Sequence, residues 1–236
     1  MKNIISLALV LLLVCSSASQ YIGASIVGPL SKSAFACLRN QGGVNFVIIR
    51  IYKVSGTPGI DPNAAQTLTN ANANFRPYGY MEICRGMDPV SQVTTMINGL
   101  PTLSNTVFIK VQPNTTPGCS WDGYTLADNC AFLTLAVQTL NTLNPVGYYG
   151  AGVFSTAKIW AKYFDISCDI RSLTMYIWYA IYDVNGLVDS TNQLGDFIPF
   201  GGWAMGSFKQ LGSSTRVPLC GNPNWHALIN YVTEGV

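Results

Sequence analysis

The sequence predicts an α/β fold, an irregular TIM-like β/α barrel with about five βα units followed by strands that lack regular helices. Three observations lead there. Short apolar strands alternate with amphipathic segments at a spacing of ~25–35 residues, the signature of parallel βαβ units. The helical segments fade in the last third of the chain. The length of 236 residues fits one barrel of ~250 residues. An open doubly wound sheet is the alternative topology.

Each element has its own signal. Ile22–Val27 reads as a strand, and Ser31–Leu38 as a short helix capped by Ser31. Val44–Tyr52 (VNFVIIRIY) is dense in β-branched residues and reads as a buried parallel strand. Asp61 and Pro62 open a helix to about Asn74, with Asp61 as the N-cap. Tyr78–Ile83 is a strand, and Asp88-Pro89 starts the next helix, which runs to about Leu100. Thr106–Gln112 is a strand, followed by a Pro/Gly/Cys-rich loop and a helix over Leu126–Leu143. Val146–Tyr149 is expected to be the fifth strand and Ser155–Phe164 the fifth helix. Met175–Tyr182 and Phe208–Leu211 are further strands, and Arg216–Cys220 is a weak last one.

Composition narrows the setting. Charged residues make up 10% of the chain and the formal net charge is +2, with no basic run of the kind that neutralises a phosphate backbone. A nucleic-acid partner is therefore not expected. Lys2, an apolar run from Ile4 to Val14 and small residues to Ser19 form a secretory leader, too short to span a bilayer. We expect a leader over residues 1–19 and a single domain over residues 20–236. The mature protein is expected in a secreted or luminal compartment, without a membrane anchor, as a monomer. Six cysteines remain after the leader, namely Cys37, Cys84, Cys119, Cys130, Cys168 and Cys220. An even count behind a leader implies three disulfides, with the connectivity open. They are not zinc ligands, because no C-x-x-C spacing exists and His226 is the only histidine. No metal or other cofactor is expected. GYYGAG (147–152) lacks the lysine and hydroxyl ending of a phosphate loop, and Asn114 begins the sole N-glycosylation sequon.

Several segments together resemble glycoside hydrolase family 25, especially the lysozymes of protists and nematodes. They are VNFVIIRIY, YGYMEIC, PVGYYGAGVFSTAKIW, WYAIYD (Trp178–Asp183) and FGGW…FKQ (Phe200–Gln210). The resemblance runs from about Tyr21 to Tyr231. It implies an irregular barrel with five βα units, and cleavage of the glycan between N-acetylmuramic acid and N-acetylglucosamine in peptidoglycan. The family's catalytic carboxylates lie at strand ends, yet the corresponding positions here fall on Ala24, on Lys110 and Gln112, and around Cys220-Gly221-Asn222. Glycosidic cleavage needs a carboxylic acid and a second group across the sugar ring, so ordinary family chemistry is expected to be impaired.

Eleven acidic residues leave few replacements. Glu82, at a strand end among apolar neighbours, is the foremost candidate acid. Asp183 ends WYAIYD, where Ile181 stands in place of the family's histidine, and is a possible partner. Asp122 is a third candidate. Each has a plainer reading, as a rim ion pair for Glu82 or a turn cap for Asp183. Asp61 and Asp88 read as helix caps, and Asp165, Asp169, Asp189, Asp196 and Glu234 as solvated charges. Tyr52, Tyr80, Tyr148, Tyr149, Trp178, Tyr182 and Trp203 lie near strand ends and, with Gln112, are the candidate lining of a glycan groove, since sugar faces stack on aromatic rings. Core packing is the alternative for each.

Three functions follow. The first is a secreted lysozyme-like protein that recognises peptidoglycan-type glycans without cutting them, in defence against bacteria or their digestion. The second is an active lysozyme with a relocated acid such as Glu82. The third is a structural or recognition protein of an extracellular coat.

Overall fold

A computed structural model describes residues 21–100, 103, 105–143, 150–183, 186–187, 194–210 and 229–234, the last six as backbone. The expected leader lies outside them. The described strands are β1 (Tyr21–Ile26), β2 (Phe46–Lys53), β3 (Gly59–Ile60), β4 (Tyr78–Glu82), β5 (Val107–Lys110), β6 (Ala151–Ser155), β7 (Tyr176–Ala180), β8 (Tyr182–Asp183), β9 (Gly186–Leu187), β10 (Phe208–Gln210) and β11 (Ile229–Glu234). The five described helices are α1 (Lys32–Asn40), α2 (Ala64–Asn72), α3 (Pro89–Gly99), α4 (Leu126–Leu143) and α5 (Ala157–Tyr163).

The fold is α/β, with a curled and mostly parallel sheet. Its order is β1-β11-β10-β7-β6-β5-β4-β2-β3, and β1 also pairs in parallel with β2, so the ladder meets itself. β11 runs antiparallel to both β1 and β10. Curling makes one face an interior. Phe46 of β2 and Phe208 of β10 are far apart in the ladder, yet their rings lie 5.6 Å apart. Phe108 meets Phe208 at 5.1 Å, and Phe154 meets Trp178 at 4.7 Å. Strand alternation sends the intervening residues outward, where Val47, Ile49, Met81, Ile109 and Val153 pack under Leu68, Val93, Met96, Leu133 and Val137 of the helices.

Past α5 the outer face is covered differently. Phe197, Phe200 and Trp203 pack against Trp160 and Tyr179. Lys209 is fully buried and binds Asp196, which also accepts a hydrogen bond from the Tyr179 hydroxyl at 2.6 Å. The turn depends on Gly201 at φ +59, because a Cβ there would lie 2.6 Å from the Trp203 ring.

Several expectations change. The described strand after α4 is Ala151–Ser155, and the expected Val146–Tyr149 lies outside the described residues. Composition favoured the aromatic pair, but the ladder needs Gly152, where any Cβ would meet the Phe108 ring at 2.5 Å. The strand joining β10 to β1 is Ile229–Glu234, so the backbone of Glu234 belongs to a ladder. Arg216–Cys220 lies outside the described residues. Asp88 caps α3 through the Ser91 amide at 2.7 Å, as expected. Asp61 does not cap α2. That helix starts after Asn63, and the Asp61 carboxylate turns into the protein to meet Arg50. Two disulfides are described, Cys84–Cys119 and Cys130–Cys168, and Cys37 is disulfide-bonded too.

Candidate functional site

Four charged side chains meet near the carboxyl ends of β2, β4 and β5: Arg50, Glu82 and Lys110 from these strands, and Asp61 just after β3. Asp61 is 2% exposed and Arg50 19%. The Arg50 Nε and a terminal nitrogen both lie 2.8 Å from Asp61 Oδ2, while Asp61 Oδ1 accepts the Asn63 amide at 3.0 Å. The other Arg50 terminal nitrogen lies 4.0 Å from Glu82 Oε1, and Glu82 Oε2 accepts the Val54 amide at 3.3 Å. Lys110 sits beside Glu82 in the ladder, with its ammonium 5.2 Å from the centroids of both the Tyr80 and Phe154 rings. Two cations and two carboxylates thus share the strand ends.

Burial sets their chemistry. It lowers the proton affinity of Lys110, an effect that Glu82 opposes and Arg50 reinforces. It also pushes the Tyr80 hydroxyl well above the ordinary tyrosine range, helped by Glu82. Glu82 is therefore not among apolar neighbours as the sequence suggested, because Arg50 and an amide N–H face it. Trp178 Nε1 and Gln210 Oε1 are buried and have no hydrogen-bond partner among the described residues.

The other candidates are scattered. Tyr80 and Trp178 are core rings of the interior, 5.9 Å apart, and floor the site rather than line a groove. Tyr52 packs in the helix-side layer. Trp203 is also buried there, with its Nε1 donating to the Thr174 carbonyl just before β7, away from the carboxyl ends. Their large apolar rings are used for packing, which aromatic composition alone does not distinguish from display. Tyr182 is half-exposed beyond β7, and Gln112 is partly buried two residues beyond β5. Asp183 is in a two-residue ladder with Gly186, past the end of β7. Tyr148 and Tyr149 lie outside the described residues, as do Asp189 and His226. Asp122 is tied to Lys162, whose ammonium holds the carboxylate below its ordinary range, and to Tyr163.

Ala24 also moves. It is fully buried in the helix-side layer, so its neighbour Ser25, paired with interior Ile48, is the inward residue of β1. The Arg50–Asp61 pair left one trace in the sequence, an arginine inside an otherwise apolar strand, a position that requires a partner.

The chain matches a family model described as Lysozyme-like protein 1 over residues 16–211. It belongs to the lysozyme-like family. Lysozyme-like protein 5 of Caenorhabditis elegans is 27% identical over 222 residues, covering 89% of this chain and 93% of the relative. The lysozyme-like fold is shared with solved structures. A bacterial lysozyme from Streptomyces coelicolor superposes with a TM-score of 0.65 at 12% identity, covering 92% of each chain. A family 25 glycosyl hydrolase from Bacillus anthracis gives 0.63 at 13% identity, covering 91% of this chain and 88% of its own. At such identities the likeness establishes the lysozyme-like fold alone.

Proposed function

We propose that this lysozyme-like protein is a secreted recognition protein. It binds peptidoglycan-type glycans at the carboxyl end of an irregular β/α barrel and does not hydrolyse them. The observation that carries the reading is Lys110, an inward ammonium beside Glu82 and Arg50 where the family resemblance calls for a carboxylate. Cleavage of a glycosidic bond passes through an oxocarbenium-like state that an acid and an opposed carboxylate support. Lys110 puts an ammonium where a carboxylate would face that developing positive charge. Glu82 is engaged by Arg50 and the Val54 amide, which fix its carboxylate in place as an acceptor for ligand hydroxyls. The same donors and acceptors suit sugar hydroxyls. Disulfides fit an oxidising compartment, and among the described residues no helix is long and apolar enough to cross a membrane.

The test is incubation of the mature protein with peptidoglycan from pH 3 to pH 8, with counts of new reducing ends and of protein sedimenting with the polymer. Glu82→Gln runs alongside. Sedimentation without new ends is the expected result. New ends that vanish in Glu82→Gln would instead make the protein a working lysozyme with a moved acid. Absence of sedimentation would leave the scaffold-protein reading.

A further inference from the structure

The opposite end of the sheet carries a second concave surface, a groove of about 620 Å³ where β1, β2 and β4 begin and α1 and α2 end. Tyr21 and Tyr78 supply rings, and Tyr21 is 42% exposed. Arg39 is held in place, donating to the Asn45 carbonyl at 2.9 Å with its guanidinium 5.5 Å from the Phe75 centroid. Arg76, Asn72 and Asn74 line the groove too, and among the described residues the Asn72 and Asn74 side-chain amides make no hydrogen bond. Other asparagines nearby are already used for structure: Asn70 donates to Leu30, Asn105 to Arg76, and Asn45 accepts from Ile22.

We propose that this groove is a second carbohydrate site, taking a neutral, hydroxyl-rich polysaccharide chain. Free amides and a fixed guanidinium present planar pairs of donors and acceptors that match neighbouring hydroxyls, and exposed tyrosine gives a face for the apolar side of a sugar ring. The lining is mostly uncharged, with asparagine amides and aromatic rings beside the two arginines, which suits a neutral ligand. The carboxyl-terminal ends of α1 and α2 also point here, and their partial negative charge offsets about half of the guanidinium charge. This site is independent of the one formed by Arg50, Glu82 and Lys110, because the packed interior separates the two ends.

The experiment measures retention of the mature protein on chitin, a neutral polymer, and on polygalacturonate, an anionic one. It compares wild type, the triple variant Tyr21→Ala/Asn72→Ala/Asn74→Ala and, at the other end, Lys110→Met. All three altered groove residues are exposed or half-exposed, so an unchanged Tm verifies the fold. The triple variant is expected to bind chitin roughly tenfold more weakly, the scale of one lost ring stack and two lost amide contacts, while Lys110→Met keeps this component. A folded triple variant that binds chitin like wild type overturns the proposal. So does a wild type that binds polygalacturonate alone. Loss of peptidoglycan binding in Lys110→Met speaks only to the function proposed above, so the two readings fail separately.

Discussion

Along β2, β4, β5 and β6 the outer face is covered by helices, through contacts such as Leu133 and Val137 over Ile109 and Val153. Along β7 and β10 the cover is irregular chain, held by Phe197, Phe200 and Trp203 and by the Lys209–Asp196–Tyr179 cluster. A helix satisfies its own backbone and needs only an apolar stripe, so its attachment is spread over many small contacts. A loop brings unsatisfied backbone and few apolar groups. It is held by large rings and by a buried charge, and each of these matters individually.

This contrast can be broken by substitution. The largest expected effect is at a helix-covered strand end. Arg50→Met leaves Asp61 buried without its partner and should cost about 3–5 kcal/mol, read as the shift in denaturant midpoint. Asp61→Asn should cost less, because Arg50 retains some access to water. If the two substitutions were equally costly, burial would not be what ranks them. Next come Leu133→Ala on α4 and Trp203→Ala in the loop, each in a range of about 2–5 kcal/mol. Hydrogen exchange should separate them. Trp203→Ala should expose amides of residues 194–206 while α2, α3 and α4 stay protected, whereas Leu133→Ala should lower protection throughout.

Asp196→Asn keeps an acceptor for Lys209 and Tyr179 but removes the charge facing a fully buried ammonium, and should cost about 3 kcal/mol, the low end for breaking a buried pair. Opening should be confined to the loop, as the proteolysis rate there will report. The smallest effect has a defined sign. Burial lowers the proton affinity of Lys110, so its ammonium costs stability in full at low pH. That cost is relieved as pH rises through the lowered value toward the unfolded one near ~10.4. Lys110→Met should therefore raise the thermal midpoint at neutral pH, by an amount that shrinks as pH approaches 10. A gain that grew with pH would reverse the argument.

The helix-covered half was the more legible in the sequence. VNFVIIRIY, the long α4 segment and the Asp88-Pro89 start each declare themselves through local pattern, and the structure has them nearly where expected. What local pattern cannot carry is space between strands. Gly152 belongs to a strand because of the ring opposite it, and Ala24 and Ser25 exchange roles because a one-residue change of facing swaps layer for interior. The candidate site was half legible. Lys110, Gln112 and Glu82 were named, but Arg50 and Asp61 come together only through the fold, and the aromatic candidates Tyr52 and Trp203 were claimed by packing.

The rings of Phe46, Phe108 and Phe208 fill the middle of the curled sheet. Such a plug is an insulator. Among the described residues apolar rings separate the two ends, so, on the two sites proposed above, their occupancy should be statistically independent, with no cooperativity to measure. Binding at both ends would hold two polymer strands at once, and its effect on a suspension of cell-wall fragments would be bundling, strongest at intermediate protein concentration and lost in excess.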